Sequence, residues 1–120
     1  MIKFNNQTLD AEMVLGDTGT FSLTPKLDGE TYLTTGDTLY FTVREKKLKP
    51  GETERLPMIT KEITTFDNGT ATIPIDPNDT LENMSAGTYV YDIVVVRGDG
   101  TVDTLTPNGQ AYFTLKKGVK

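Results

Sequence analysis

An all-β sandwich is the fold class this sequence predicts, and three observations predict it. Short runs in which apolar and polar residues alternate recur along the chain, which is the periodicity of strands and not of helices. Turn clusters of Gly, Asn, Asp and Pro separate these runs at a spacing that suits a sandwich. The third observation is Gly87-Thr88-Tyr89-Val90-Tyr91-Asp92-Ile93, which follows Leu81 and a small polar turn. An immunoglobulin-type domain opens its penultimate strand in this way, with a tyrosine two residues before its second cysteine. The hydroxyl of that "tyrosine corner" ties the strand to the connection before it. Tyr89 is therefore expected to bond backbone in the 81–87 region, with Tyr91 in the cysteine's place. The expected architecture is an immunoglobulin-like sandwich of seven to eight antiparallel strands with little or no helix.

Seven strands can be read in order. Phe21 and Leu23 alternate with Thr20, Ser22 and Thr24 until Pro25 ends the run. Leu39, Phe41 and Val43 point one way, while Tyr40, Thr42 and Arg44 point the other. Ile59 and Ile63 mark a third strand, with Lys61 between them as the sign of an edge or an exposed end. Ala71, Ile73 and Ile75 mark a fourth, and Pro74, which has no N–H to donate, makes it an edge strand or a strand end. Tyr89, Tyr91, Ile93 and Val95 form the inner row of the fifth, with Val90, Val94 and Val96 on its other face. Val102 and Thr104 lie in a short sixth; Ala111, Phe113 and Leu115 give the seventh.

Gly98-Asp99-Gly100 supplies the positive φ angles of a tight hairpin between strands five and six, and Asp67-Asn68-Gly69 does the same between three and four. Pro107-Asn108-Gly109 separates six from seven. Residues 76–82 read as a helical turn capped by Asp76 or Asp79 that crosses from one sheet to the other. Residues 46–54 read as a long, charged, exposed hairpin end. Residues 1–15 lack clean alternation and are expected to form an edge strand or an arm against a neighbouring subunit, leaving 16–120 as the sandwich.

Composition narrows function mainly by exclusion. A chain of 120 residues is long enough to close a core without staples. It has neither Cys nor His, which removes disulfides, thiolate chemistry, the commonest general base and the commonest transition-metal ligand. A net charge of -5 argues against a general nucleic-acid binder, although Arg44, Lys46, Lys47, Lys49 and Arg55 make one end locally basic. The polar start of the chain has no signal-like apolar core, and no run approaches membrane-spanning length, so synthesis in the cytosol is expected.

Each candidate for chemistry has a structural reading beside it. Arg97-Gly98-Asp99 is an adhesive tripeptide by its letters, yet the same letters are what a tight turn wants. Asp76, Asn78 and Asp79 offer oxygens to calcium, but Pro77 interrupts them and a helix cap fits better. Four Asn-x-Ser/Thr sequons, at Asn6, Asn68, Asn78 and Asn83, are better read as turn chemistry. Asp92 is the acid set inside a strand: on an exposed face it is a solvated strand residue or a partner for a cross-strand Lys or Arg, and on a buried face it must be hydrogen-bonded or paired. No phosphate loop is present. The expectation is a protein that is not an enzyme, with no cofactor and no metal.

Read in order, Gly16-Asp17-Thr18, Gly36-Asp37-Thr38 before Leu39-Tyr40-Phe41-Thr42-Val43-Arg44, and Asp79-Thr80-Leu81 lead to the corner. Gly87-Thr88-Tyr89-Val90-Tyr91-Asp92-Ile93, Asp99-Gly100-Thr101-Val102-Asp103-Thr104 and Phe113-Thr114-Leu115 follow. Over residues 16–116 this order resembles the small immunoglobulin-like domains of virion proteins from phages and prophages of Gram-positive bacteria, including the N-terminal domains of upper-baseplate proteins. The resemblance implies a non-enzymatic structural or host-interaction role in a tail, baseplate, neck or head fibre. It implies other virion proteins or self-association as partners, no membrane and no direct nucleic acid, and location in a virion made in the bacterial cytoplasm. The chain departs from that pattern in stopping at Lys120, without the fibre region that often follows. The alternative is a carbohydrate-binding or host-surface adhesion module, for which Tyr32, Tyr40 and Tyr112 are the outward aromatic candidates. Surfaces reserved for partners are expected at Ile2, Phe4, Leu9 and Met13, and at Val90, Val94 and Val96. A strand apolar on both faces is usually covered on both.

Overall fold

The computed structural model describes residues 3–4, 10–27, 29–47, 50–82, 84–106 and 111–118. Strands dominate: β1 (Lys3–Phe4), β2 (Ala11–Val14), β3 (Gly19–Leu23), β4 (Lys26–Leu27), β5 (Glu30–Thr31), β6 (Thr38–Glu45), β7 (Pro57–Ile63), β8 (Ala71–Ile75), β9 (Gly87–Val96), β10 (Val102–Thr104) and β11 (Ala111–Lys116). One short helix, α1 (Pro77–Leu81), connects β8 to β9. Each of the seven runs read by alternation is a strand: β3 and β6 to β11. The chain is all-β.

The large sheet has the order β1-β2-β11-β9-β6-β7, and β10 pairs with β9 beyond the end of β11. β3 and β8 form a separate two-stranded sheet, as do β4 and β5. The large sheet is mixed, which corrects the expectation of purely antiparallel strands: β2 runs parallel to β11, with Phe113 opposite Ala11 and Leu115 opposite Met13. Parallel pairing needs a long connection between partners, and here the whole remaining sequence supplies it.

Alternation decides which faces meet. β6 buries Leu39, Phe41, Val43 and Glu45 on its inner side, and β9 contributes Tyr91, Ile93 and Val95. Phe21 from β3 and Ala71, Ile73 and Ile75 from β8 belong to the same core. Four aromatic rings hold its centre. Tyr91 lies 5.2 Å from Phe41, 5.6 Å from Phe21 and 6.4 Å from Phe113, with the last two contacts edge-on. Edge-on rings set a positive rim against a negative face, so the contacts fix geometry as well as bury area.

The turns mostly follow the sequence. β9 and β10 form the hairpin expected at Gly98-Asp99-Gly100, with Val102 opposite Val96. At Asp67-Asn68-Gly69 the tight turn forms, with Asn68 at φ 51 and Gly69 at φ 81, closed by an Asp67–Thr70 bridge. It does not join paired strands, however, because β7 pairs with β6 while β8 pairs with β3. That turn carries the chain between sheets. α1 makes the second crossing, and the Asp79 carboxylate accepts from the Asp76 N–H at 2.7 Å at its start. Pro107-Asn108-Gly109 lies outside the described residues.

The N-terminal segment joins the large sheet at its margin. β2 inserts between β1 and β11, and Ala11 and Met13 are core residues. The segment widens the sheet; its described part does not lie across the valine row of β9. Among the described residues, no helix is long and apolar enough to cross a membrane.

Candidate functional site

Turn chemistry places Asp37 at the mouth of β6, where the 32–37 segment meets the β9–β10 hairpin. Gly36, at φ 98, makes the bend. The Asp37 side chain is 3 % exposed and fully engaged. The Thr34 N–H donates to Oδ2 at 3.0 Å, while the Gly98 N–H at 3.2 Å and the Arg97 Nε–H at 3.1 Å donate to Oδ1. Burial by itself works against the charge. The Thr34 and Gly98 N–H groups and the Arg97 guanidinium outweigh it, holding Asp37 below the ordinary carboxylate value.

Arg97 extends from Asp37 over the Tyr32 ring, 4.2 Å from its centroid. The Tyr32 hydroxyl donates to Asp103 Oδ2 on β10. Burial, and then this bond to a carboxylate, push the Tyr32 hydroxyl above its usual value. Asp37, Arg97, Tyr32 and Asp103 thus pin three parts of the chain together. An open groove of about 430 Å3 lies beside them, lined among others by Thr34, Thr35, Asp99 and Thr101.

The Arg97-Gly98-Asp99 tripeptide is therefore occupied by folding. Besides the Arg97 and Gly98 bonds to Asp37, the Asp99 carboxylate accepts from the Thr101 N–H at 2.9 Å, which holds Asp99 below its usual value. Every letter serves the turn, which favours the structural reading of the motif over the adhesive one.

A second surface is the outer face of the large sheet. Val90, Asp92, Val94 and Val96 form its central row on β9, beside Thr38, Tyr40, Thr42 and Arg44 on β6. Val90 is buried, while Asp92, Val94 and Val96 are half-buried. Glu54 and Arg55 of the β6–β7 connection help to enclose a groove of about 390 Å3 over Thr42, Arg44, Val90 and Asp92. Of the valine row, Val90 lines that groove. Burial raises the Asp92 carboxyl, and Arg44, at 3.7 Å, partly offsets it. Asp92 is thus a half-buried strand residue loosely paired with Arg44 of the neighbouring strand, in line with the cross-strand reading.

The remaining predicted positions divide clearly. The Tyr89 hydroxyl bonds Ser85 backbone, within the expected region, and Gly87, at φ 152, begins the strand. Tyr91 fills the core and burial pushes its hydroxyl up. Met13 is 2 % exposed and belongs to the core, so it is not free for a partner. Ile2 and Leu9 lie outside the described residues, and only the backbone of Phe4 is described. Tyr32 is not outward as expected, but buried beneath Arg97. Tyr112 is exposed, with the Lys46 ammonium 5.3 Å from its ring.

Asp76 and Asp79 lie at the start of α1, and Asp79 also pairs with Lys61 at 2.8 Å. Among the described residues, no group of three or more acids is placed to hold a metal ion. Sequence reading missed Asp37, Tyr32 and Asp103 as a unit, because their partners lie some sixty or seventy residues away. The available signal was Asp37 itself, a carboxylate directly before a buried strand. Compared with known proteins, the chain matches no family model and no curated sequence.

Proposed function

We propose that the chain is an immunoglobulin-like domain of a phage or prophage virion, non-enzymatic and acting through protein–protein interfaces. The observation that carries this reading is the Tyr89 corner, set in the order of motifs that resembles such domains. Strand order supports the finer fold assignment. β3 beside β8 corresponds to strands B and E, and β6-β9-β11 to C, F and G of an immunoglobulin sandwich. Phe21, Phe41 and Tyr91 then occupy the places of the B–F disulfide and its covering Trp, an apolar substitute for a bond this chain cannot make.

The polar residues favour the same reading. The strongest charged cluster is consumed in pinning a hairpin, and the buried Tyr32 is lost to any sugar-stacking face. The test is whether the protein occurs in particles. Mass spectrometry of purified virions from a host carrying the gene should find its peptides at stoichiometric abundance, with tail or head genes flanking the coding sequence. Absence from purified particles, or a neighbourhood of sugar-utilisation genes, would overturn the assignment.

A further inference from the structure

Sheet edges are where one chain adds to another, and proteins guard them with charges, prolines or very short strands. Among the described strands, those lying at an edge carry such guards. β7 has Pro57, Lys61 and Glu62, β8 has Pro74, β10 has Asp103, and β1, β4 and β5 have Lys3, Lys26 and Glu30. β3 is different: Gly19-Thr20-Phe21-Ser22-Leu23 contains neither a charge nor a proline, and its one partner among the described strands is β8.

The register shows which backbone groups face outward. Thr20 lies opposite Pro74 and Ser22 opposite Thr72. Proline has no N–H, so Thr20/Pro74 is a non-hydrogen-bonded pair, and strict alternation makes Ser22/Thr72 another. The N–H and C=O groups of Thr20 and Ser22 therefore point away from β8, along the open edge. The opposite edge of the same sheet has lost a donor at Pro74. One side of this sheet is blunted and the other is intact.

We propose that the β3 edge pairs antiparallel with the β3 edge of a second copy of this chain, about a two-fold axis at Ser22. The strand is self-complementary in that register. Ser22 meets its own counterpart and Thr20 meets Thr24, so hydroxyls face hydroxyls and no like charges oppose. Thr20, Ser22 and Thr24 are all exposed, leaving the approach open on that face. On the inner face Leu23, only half-buried in one subunit, would lie opposite Phe21 of the other, which adds apolar cover. The pairing rests on the edge alone and holds whether or not the chain belongs to a virion.

Sedimentation equilibrium and concentration-dependent amide exchange on the whole chain test it together. The expected result is a reversible dimer, with Thr20 and Ser22 amides gaining protection as concentration rises. Ser22→Lys, which sets two ammonium groups face to face on an exposed position, should abolish the dimer; Ser22→Thr should keep it. Thermal melts of both variants in dilute solution should match the parent, separating lost pairing from lost folding. A chain monomeric at every concentration, a dimer indifferent to Ser22→Lys, or one in which Thr20 and Ser22 gain no protection would overturn the proposal.

Discussion

The Tyr89 hydroxyl and the Ser85 backbone bond each other twice: the hydroxyl donates to the Ser85 carbonyl at 2.8 Å and accepts from the Ser85 N–H at 3.0 Å. A side chain at the start of β9 thereby closes the connection leading into it. The bonds are exposed to solvent, so their net contribution is that of ordinary hydrogen bonds. Tyr89→Phe should destabilise by about 1 kcal/mol. A lower urea midpoint at constant m-value is the expected readout; an unchanged midpoint would mean that the corner follows from the fold without supporting it.

Asp37 should matter more. Asp37→Ala strands the Arg97 guanidinium and the Thr34 and Gly98 N–H groups, and should cost about 2 to 3 kcal/mol. Its folded pKa lies below its unfolded one. Its stabilisation is therefore present above the unfolded carboxylate value, about 3.9, and is lost as pH falls through the lower folded value. Unfolding free energies measured down an acid series should fall in the parent and fall less steeply in Asp37→Asn.

Asp92 should behave in the opposite sense. Burial raises its folded pKa, so the neutral acid suits the fold better than the carboxylate. Its contribution is fully present below the unfolded value and is lost as pH rises through the folded one. At neutral pH, Asp92→Asn should be neutral or stabilising by up to about 1 kcal/mol, because the loose Arg44 pair offsets burial only in part. A clear destabilisation, measured by calorimetry, would show that Arg44 matters more than the 3.7 Å separation suggests.

Calcium should not move the melting temperature. The acids of the 76–79 segment lack calcium-loop spacing, and Asp79 already serves the Asp76 N–H and the Lys61 ammonium. A rise of several degrees in millimolar calcium, reversed by chelator, would contradict this.

How much the sequence discloses depends on the range over which each feature is determined. Strands such as β6 and β9 are local statements: alternation over eight or ten residues names the inner row, and Leu39, Phe41, Ile93 and Val95 are all fully buried. The Tyr89 corner spans four residues and is equally legible. β2 is legible only as an edge strand somewhere in residues 1–15, since Ala11-Glu12-Met13-Val14 shows little pattern until β11 lies beside it. The Asp37–Arg97 pair fails for the same reason: Asp37 reads as turn chemistry, which it is, and nothing near it in sequence reveals the guanidinium across the fold. Tyr32 reads as outward in the sequence, yet it belongs to the core, with Arg97 over its ring and its hydroxyl on Asp103.

The parallel contact between β2 and β11 also sets an order of events in the cell. The ribosome delivers β2 long before β11, so Met13 waits for its sheet partner while every strand between them is made. Before Ala111–Lys116 emerge, the nascent chain can pair β9 with β6 and β6 with β7, but it leaves an unfinished margin on β9. The emergence of Ala111–Lys116, rather than any earlier stage, is when this sheet becomes complete.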